Sequence, residues 1–413
     1  MTRPVDPSAA AADFSWPVRA AWAVLEHAPA SADPLLHLAR RWGRPLASLV
    51  LPVELRRGRT RAGADGTLLV VGRGRLLEYL SRRFFQDEPA SEPAPPVALH
   101  RLRDRLADAI DAADLVLALV PRVIAAHAAG AALLRVPGSV DFALPTGAGA
   151  VLKAARSSLR KDVRRVRRSP LVGRVARDPA AFEQFYFQFY LPSIVDRHRD
   201  LAEPQPLRVL RRRYRFGGIL WVERDGVALS SNLYELRGDT MNLLVSGRRS
   251  SGDAALDTLV GLASYLFPID LACERGCTSV HLGGTVPVLT DGVFRYKRAW
   301  GARVAPRVET HSELLVGWRS PGRAVHGFLA EAPLVYRAGA SLEAVAAVDR
   351  GEPADPREGA RLRRALLATG LERLTIMAAA GWRAPEPGWL PLPSVVRLTT
   401  PLASAALAEE GAA

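Results

Sequence analysis

Apolar and polar positions along this chain follow two periods. Over 151–168 the residues Leu152, Ala155, Leu159, Val163 and Val166 recur at helical spacing, and Ser169-Pro170 ends the run. Over Phe182–Val195 a stripe of Phe182, Phe185, Tyr186, Phe189 and Tyr190 predicts a second helix. Its aromatic face belongs in a core, with the tyrosine hydroxyls at the wet edge. Three β-rich runs come next, Ile219–Arg224, Val227–Arg237 and Thr240–Val245. The turns Asp225-Gly226 and Gly238-Asp239 separate them, which makes an antiparallel meander. After a loop, Gly247–Asp253, the spacing of Leu256, Leu259, Val260, Ala263 and Phe267 predicts a helix that Pro268 kinks or ends. A short strand, Thr278–Leu282, and a hairpin-like pair, Gly292–Trp300 and Arg303–Val308, close this region.

Outside the middle the pattern is sparser. Leu68–Val71 and Leu115–Val120 read as buried strands, and Ala125–Leu134 as a helix or the end of one. Gly72-Arg73-Gly74 reads as a tight turn, because Leu77 stands where a dinucleotide fingerprint needs its third glycine. Leu314–Trp318 and Leu374–Met377 are strand-like. Residues 1–14 and the last dozen read as loose ends. EPASEPAPP at 88–96 reads as a linker, and DRGEPADPRE at 349–358 as a second break. Strands alternating with helices predict a mixed α/β (α+β) chain. The expected division is an N-terminal α/β lobe over 1–139, a core over 140–310, and an extension over 311–413 packed on that core.

Composition narrows the class. With 413 residues, 48% hydrophobic and 24% charged, the chain builds ordinary cores. Two cysteines exclude a disulfide-stapled scaffold. No run of eighteen apolar residues is present and no secretory leader is evident, so a soluble cytoplasmic protein without a membrane span is expected. The net charge is +14, and the segment 151–168, with eight basic residues and one acid, carries +7 of it. Such an excess points to a polyanionic partner or, equally, to the base content of the genome. Cys273, Cys277 and His281 run from helix into strand and fall short of a zinc ligand set, so no metal is expected. A Gly-x-Ser-x-Gly elbow and a Gly-Lys-Ser/Thr phosphate loop are both absent.

The candidate chemistry begins at the loop Arg248, Arg249, Ser250, Ser251, Gly252, Asp253 and Ala254, between a strand and a helix. Unpaired N–H groups of a first helical turn, together with the helix dipole, favour an anion there. Gly252 allows close backbone approach, and the two arginines add charge-assisted bonds. The plainer alternative is a polar loop in which Asp253 caps the helix.

This strand–loop–helix, with Arg249, Gly252 and Ala254, resembles the acyl-CoA pyrophosphate loop of the GNAT acyltransferase superfamily. The segment Gly283-Gly284-Thr285 through Phe294-Arg295-Tyr296-Lys297-Arg298-Ala299-Trp300-Gly301 resembles the FemAB-like branch. The resemblance covers about 140–310 and implies a mixed, mostly antiparallel sheet flanked by helices, in two tandem GNAT-type lobes, the first degenerate. It implies acyl-CoA as co-substrate and an N-acyltransferase acting on a small-molecule or peptide amine. Lys297 then sits near the reacting carbonyl, and Tyr296 donates a proton to the leaving thiolate or packs. Tyr234 and Glu235 lie on the central meander strand, with Glu235 a general base through water or an exposed strand glutamate. The strand Leu243–Val245 lends backbone to a pantetheine arm. Tyr190, Arg197 and His198 border the acceptor pocket, or Arg197 and His198 are a surface pair. One alternative keeps the fold and takes aminoacyl-tRNA as donor, with 151–168 and the arginines of 208–215 as a phosphate track. Another is a non-catalytic nucleic-acid-binding or scaffold protein.

Overall fold

The structure is a computed structural model that describes residues 50–130, 133–146, 157–198, 204–307, 311–320, 322–348, 356–378 and 394–398. The expectations for residues 1–14, 151–156, 349–355 and the last dozen lie outside these, as does the side chain of His198. The chain divides into two compact units. Among the described residues, a central unit comprises Phe142–Gly283 and Ala299–Ala302. A terminal unit comprises 50–141, Gly284–Arg298 and the described residues from Arg303 on.

The terminal unit is built on a ten-stranded mixed sheet. Its strands are β1 (Val50–Arg59), β2 (Asp65–Val71), β3 (Ala90–Ala98), β4 (Leu115–Pro121), β5 (Leu134–Pro137), β13 (Ser312–Gly317), β14 (Leu334–Ala338), β15 (Ser341–Val348), β16 (Leu374–Ala378) and β17 (Ser394–Leu398). The order is β17-β16-β15-β14-β5-β13-β4-β2-β1-β3. β2–β4, β15–β16 and β16–β17 pair parallel, and the other described ladders are antiparallel. Helices α1 (Arg75–Phe84) and α10 (Arg323–Glu331) share a core with Leu68, Leu117, Leu314 and Val345. Helices α2 (Leu102–Ala112) and α3 (Arg122–Ala129) share a second core with Val71, Val116 and Leu315. The remaining elements of this part of the chain are α9 (Gly292–Ala299), β12 (Arg303–Pro306) and α11 (Pro356–Leu366).

The central unit holds strands in the order β6-β11-β10-β9-β8-β7. They are β6 (Val140–Pro145), β7 (Leu171–Ala176), β8 (Gly217–Arg224), β9 (Val227–Arg237), β10 (Thr240–Arg248) and β11 (Ser279–Thr285). β8, β9 and β10 form the expected antiparallel meander, β7, not among the expected strands, adds antiparallel to β8, and β10 pairs parallel with β11. The long helix α8 (Ala254–Glu274) packs on this sheet, and α4 (Ser157–Arg168) packs on α8. The aromatic stripe forms α5 (Pro179–Gln184), a π-helical stretch over Phe185–Tyr190, and α6 (Leu191–His198). With α7 (Leu207–Tyr214) it buries Phe182, Phe185, Tyr186 and Phe189 against Ile219, Trp221 and Leu233. So the stripe is core, as its spacing predicts.

Four expectations change. The segment 88–96 is no linker: its last seven residues lie in the edge strand β3, paired with β1. An edge strand tolerates proline because one side of its backbone needs no ladder partner. The segment Gly292–Trp300 is no hairpin strand but helix α9. Asp291 accepts bonds from the N–H groups of Val293 (2.9 Å) and Phe294 (3.1 Å), so the Asp-Gly pair starts a helix. Of the two outcomes expected at Pro268, a kink or an end, the end is excluded, because the helix runs on to Glu274. The lost hydrogen bond is offset by burial of Leu266, Pro268, Ile269 and Leu271. The loop after β10 is also shorter than expected, because the strand reaches Arg248. Among the described residues α8 is the one helix long and apolar enough to cross a membrane, and half of that stretch is buried inside the protein.

Gly247 fixes how β10 ends. A Cβ there would lie 2.3 Å from the carbonyl carbon of Phe189 and 2.5 Å from the nitrogen of Tyr190, both backbone atoms of the π-helical stretch. Gly247→Ala is expected to destabilise the protein by about 2–3 kcal/mol through overpacking. Urea denaturation of the variant beside the parent checks this; an unchanged midpoint would show that the two backbones are not held together.

Candidate active site

The parallel pair β10–β11 is short. Only Thr240–Asn242 pair with Ser279–His281, although both strands continue. Two local features part them. In β10 the register against β9 shifts between Leu243 and Val245, so Leu244 is an extra, bulged residue. In β11 Gly283 has φ 73°, a left-handed conformation that leaves the extended path. Beyond Asn242, β10 therefore keeps its ladder to β9 and has no ladder partner on the β11 side among the described residues. Leu243 and Val245 are half-buried along this free edge.

The free edge leads into the loop and the N-terminus of α8. Here the donors are taken by the chain's own carboxylates. Asp253 caps the helix, accepting from the N–H groups of Ala255 (2.8 Å) and Leu256 (3.3 Å). Asp257 accepts from the Ser251 N–H (2.9 Å) and the Ser250 hydroxyl (3.0 Å). The Ser251 bond is the main cause holding the Asp257 carboxyl below the usual range. Arg248 donates to the Asp257 backbone carbonyl at 3.3 Å. Arg249 turns to the π-helical stretch, donating to the Gln188 side chain at 2.9 Å and lying 4.3 Å from the Phe189 ring centroid. Gly252, with φ 79°, has open space where a Cβ would be.

The central strand separates Tyr234 from Glu235, since neighbours on a strand face opposite ways. Glu235 is 1% exposed rather than a surface glutamate. Arg213 and Arg237 clamp it, with Arg213 Nε at 2.9 Å and Arg237 Nε at 2.8 Å. Tyr234 is also buried, and its hydroxyl has no hydrogen-bond partner among the described residues. The same holds for the side-chain amide of Asn232, two residues back on that strand. Asn232 lies opposite Ser246, level with the free edge of β10. Leaving such a group unpaired costs about 1–3 kcal/mol. Asn232 is not among the residues the sequence singles out; its signal there is three polar residues, Ser230-Ser231-Asn232, inside an apolar strand. Ser230 is accounted for, at 2.8 Å from Ser264 of α8.

Tyr190 and Arg197 are apart in role. The Tyr190 hydroxyl accepts the Gln205 N–H at 2.8 Å and is buried, which ties the chain around α6. Arg197 is exposed on α6. Among the described residues no group of three or more His, Cys, Asp or Glu gathers to hold a metal, and Cys273 and Cys277 are free thiols.

In the terminal unit Lys297 is 3% exposed on α9. Its Nζ donates to the carbonyl of Gly284, the residue after the left-handed Gly283, at 2.9 Å. Burial drives its pKa down to about 7, while Asp141 and Asp291 favour the charged form and Arg307 opposes it. Tyr296 beside it is half-buried on the same helix. Both residues therefore stand on a helix and not on the expected hairpin strand.

No family model matches the chain, and no curated protein does. Solved structures similar to it include FemX, at 13% identity and TM-score 0.35, over 67% of this chain and 90% of that one. L-PGS from Bacillus licheniformis is similar at 12% identity and TM-score 0.32, over 64% and 84%. A GCN5-related N-acetyltransferase from Anabaena variabilis is similar at 12% identity and TM-score 0.26, over 77% and 76%. At these TM-scores the likenesses carry no argument about chemistry, which has to come from the parted strands and the residues around them.

Lys297 gives a pH test. Its folded pKa lies below the unfolded value, so the burial cost is fully present below about pH 7. From there to about pH 10.4 the unfolded chain holds a proton that the folded one has lost, and stability rises by about 1.4 kcal/mol per unit. Lys297→Met is expected to lose this rise, so its stability relative to the parent falls by roughly 3 kcal/mol between about pH 6 and about pH 9.5. Urea denaturation at both pH values reads the difference; a pH-independent difference would mean that Lys297 stays charged when buried.

Proposed function

We propose that this chain is an N-acyltransferase of the GNAT kind, in which an amine nitrogen attacks the carbonyl of an acyl donor. The new C–N bond forms, the bond from the carbonyl to the donor's leaving atom breaks, and the amine's proton passes to a base. One observation carries the reading: β10 parts from β11 behind a bulge and presents a backbone edge, without a ladder partner among the described residues, that runs to a helix N-terminus. An extended donor arm with its own amides can add to such an edge as a further strand would. Its phosphates would then reach the donors around Gly252.

The donor proposed first is acyl-CoA. Its pyrophosphate has to displace the carboxylates of Asp253 and Asp257 from the loop. Arg249, now stacked on Phe189, is the cation nearest in sequence to answer that charge. Asn232 and Tyr234 supply the buried polar groups on the strand beside the edge. Lys297 is a positioning residue in this reading: its bond to Gly284 fixes the chain directly after the bend of β11.

A second donor, aminoacyl-tRNA, is favoured by a different observation. Leu159, Val163 and Val166 of α4 are buried, and Arg160, Arg164, Arg165, Arg167 and Arg168 are all exposed. A cationic face of that length suits a phosphate backbone better than one pyrophosphate, and a loop already filled by carboxylates suits it too. The donated bond is then a ribose ester, and the leaving atom oxygen.

The first test is thermal stability with acetyl-CoA and CoA at fixed protein and salt. A ligand at a hundredfold its dissociation constant adds about 2.7 kcal/mol, which moves the midpoint measurably. Arg249→Glu should remove the shift, and Asp257→Ala should tighten CoA binding by about fivefold, or about 1 kcal/mol, by clearing a competing carboxylate. No shift at millimolar CoA rejects the thioester donor. For the tRNA donor, affinity should fall by about a thousandfold or more between about 50 and 200 mM salt, and reversal of Arg160, Arg164 and Arg168 should flatten that slope. A flat response in the parent rejects it.

A further inference from the structure

The central unit contains a cavity of about 740 Å³ that neither the parted strands nor the loop explains. It lies where α5 and α7 meet the start of β8 and the end of β9. Leu236 in its wall pairs with Met241, on the stretch of β10 before the bulge. The cavity is therefore at the other end of the strand from the free edge. Its volume is in the range of small-molecule sites.

The lining combines charge with aromatic surface. Arg177, Arg211 and Arg215 face one acid, Glu183. Arg211 reaches Glu183 only at 3.5 Å and lies 5.7 Å from the Phe182 ring centroid, so its flat guanidinium is held against a ring. Arg177 and Arg215 have no acidic partner among the described residues. The wall thus carries an excess of two positive charges. Beside Arg215 stands Phe216, which is 67% exposed although it lines a concavity. An uncovered aromatic face in a concave wall, next to guanidinium groups with no acidic partner among the described residues, is suited to a ligand that stacks at one end and is anionic at the other.

We infer that this cavity is a second binding site, for a flat heteroaromatic ring that carries an anionic group, with a nucleoside monophosphate as the simplest example. Phe216 covers the ring, and Arg177 and Arg215 take the anion, with Arg211 held ready between ring and charge. The site needs neither the donor edge nor Lys297, so it stands or falls apart from the transferase reading.

The test is calorimetric titration of the full chain with AMP, adenosine and inorganic phosphate as separate probes. AMP is expected to bind, and the two fragments at least about tenfold more weakly, since each offers half of the recognition. Arg215→Ala and Phe216→Ala should each weaken AMP by about fivefold or more. Both residues are exposed, and circular dichroism of the variants verifies that the fold is kept; Arg177→Ala provides a further variant of the same wall. Arg249→Glu should leave AMP binding unchanged. Absence of AMP binding at millimolar concentration overturns the proposal. So does binding that ignores Arg177, Arg215 and Phe216, or that disappears with Arg249→Glu, which would put the nucleotide at the α8 loop.

Discussion

The parting of β10 from β11 is the constraint on which the rest of the candidate site depends. Two parallel strands inside a sheet ordinarily exchange bonds along their length, and each unpaired backbone group in a buried setting is costly. Here the ladder stops after three residue pairs. The bulge at Leu244 turns the strand, Gly283 bends its neighbour, and Gly247 lets β10 pass backbone to backbone over the π-helical stretch. Each of these is a local irregularity with a cost. Together they leave a strand edge without a ladder partner among the described residues, beside a helix terminus. A fold under selection for stability alone would close that edge, which is why the opening is read as a place for a ligand.

The helix terminus makes that reading more specific. A first helical turn attracts negative charge, and this protein supplies it from Asp253 and Asp257. The loop is thus a competent anion site that is already answered from within. An incoming phosphate gains the same donors only by releasing carboxylates into water. The exchange is close to balanced, because both are anions and both lie at the exposed surface. In the proposed function, affinity then comes from elsewhere: the backbone edge for a thioester arm, or the cationic face of α4 for a polynucleotide.

Much of this frame was legible in the sequence, for a physical reason. The meander, the aromatic core stripe, the basic helix and the strand–loop–helix are local patterns, and period and turn residues specify them directly. Expectation and structure differ where one local signal serves two structures. Asp291-Gly292 has the composition of a hairpin turn, but the aspartate caps a helix, so Lys297 stands buried on a helix instead of on a hairpin strand. Prolines in 88–96 forbid a central strand and allow an edge one. Pro268 forbids one hydrogen bond, and burial on the sheet outweighs that loss. The unpaired amide of Asn232 and the clamped carboxylate of Glu235 were beyond sequence reading, because both depend on partners distant along the chain.

Charge shows the same limit and how structure lifts it. Lysine and arginine exceed acids by 14, and the runs look alike in sequence. In the fold they separate by what they face. Arg213 and Arg237 hold the buried Glu235, and Arg122, Arg135 and Arg337 surround Glu313, which has no exposed surface. Those arginines are committed to carboxylates whose burial would be prohibitive without them. Within the single run 208–215, Arg213 is committed in this way, Arg211 rests on an aromatic ring, and Arg215 lines a cavity with no acidic partner of its own among the described residues. Which cations are available to a ligand is decided in part by the carboxylates the fold has buried, and the exposed face of α4 and the cavity beside Phe216 are two places where positive charge is left over.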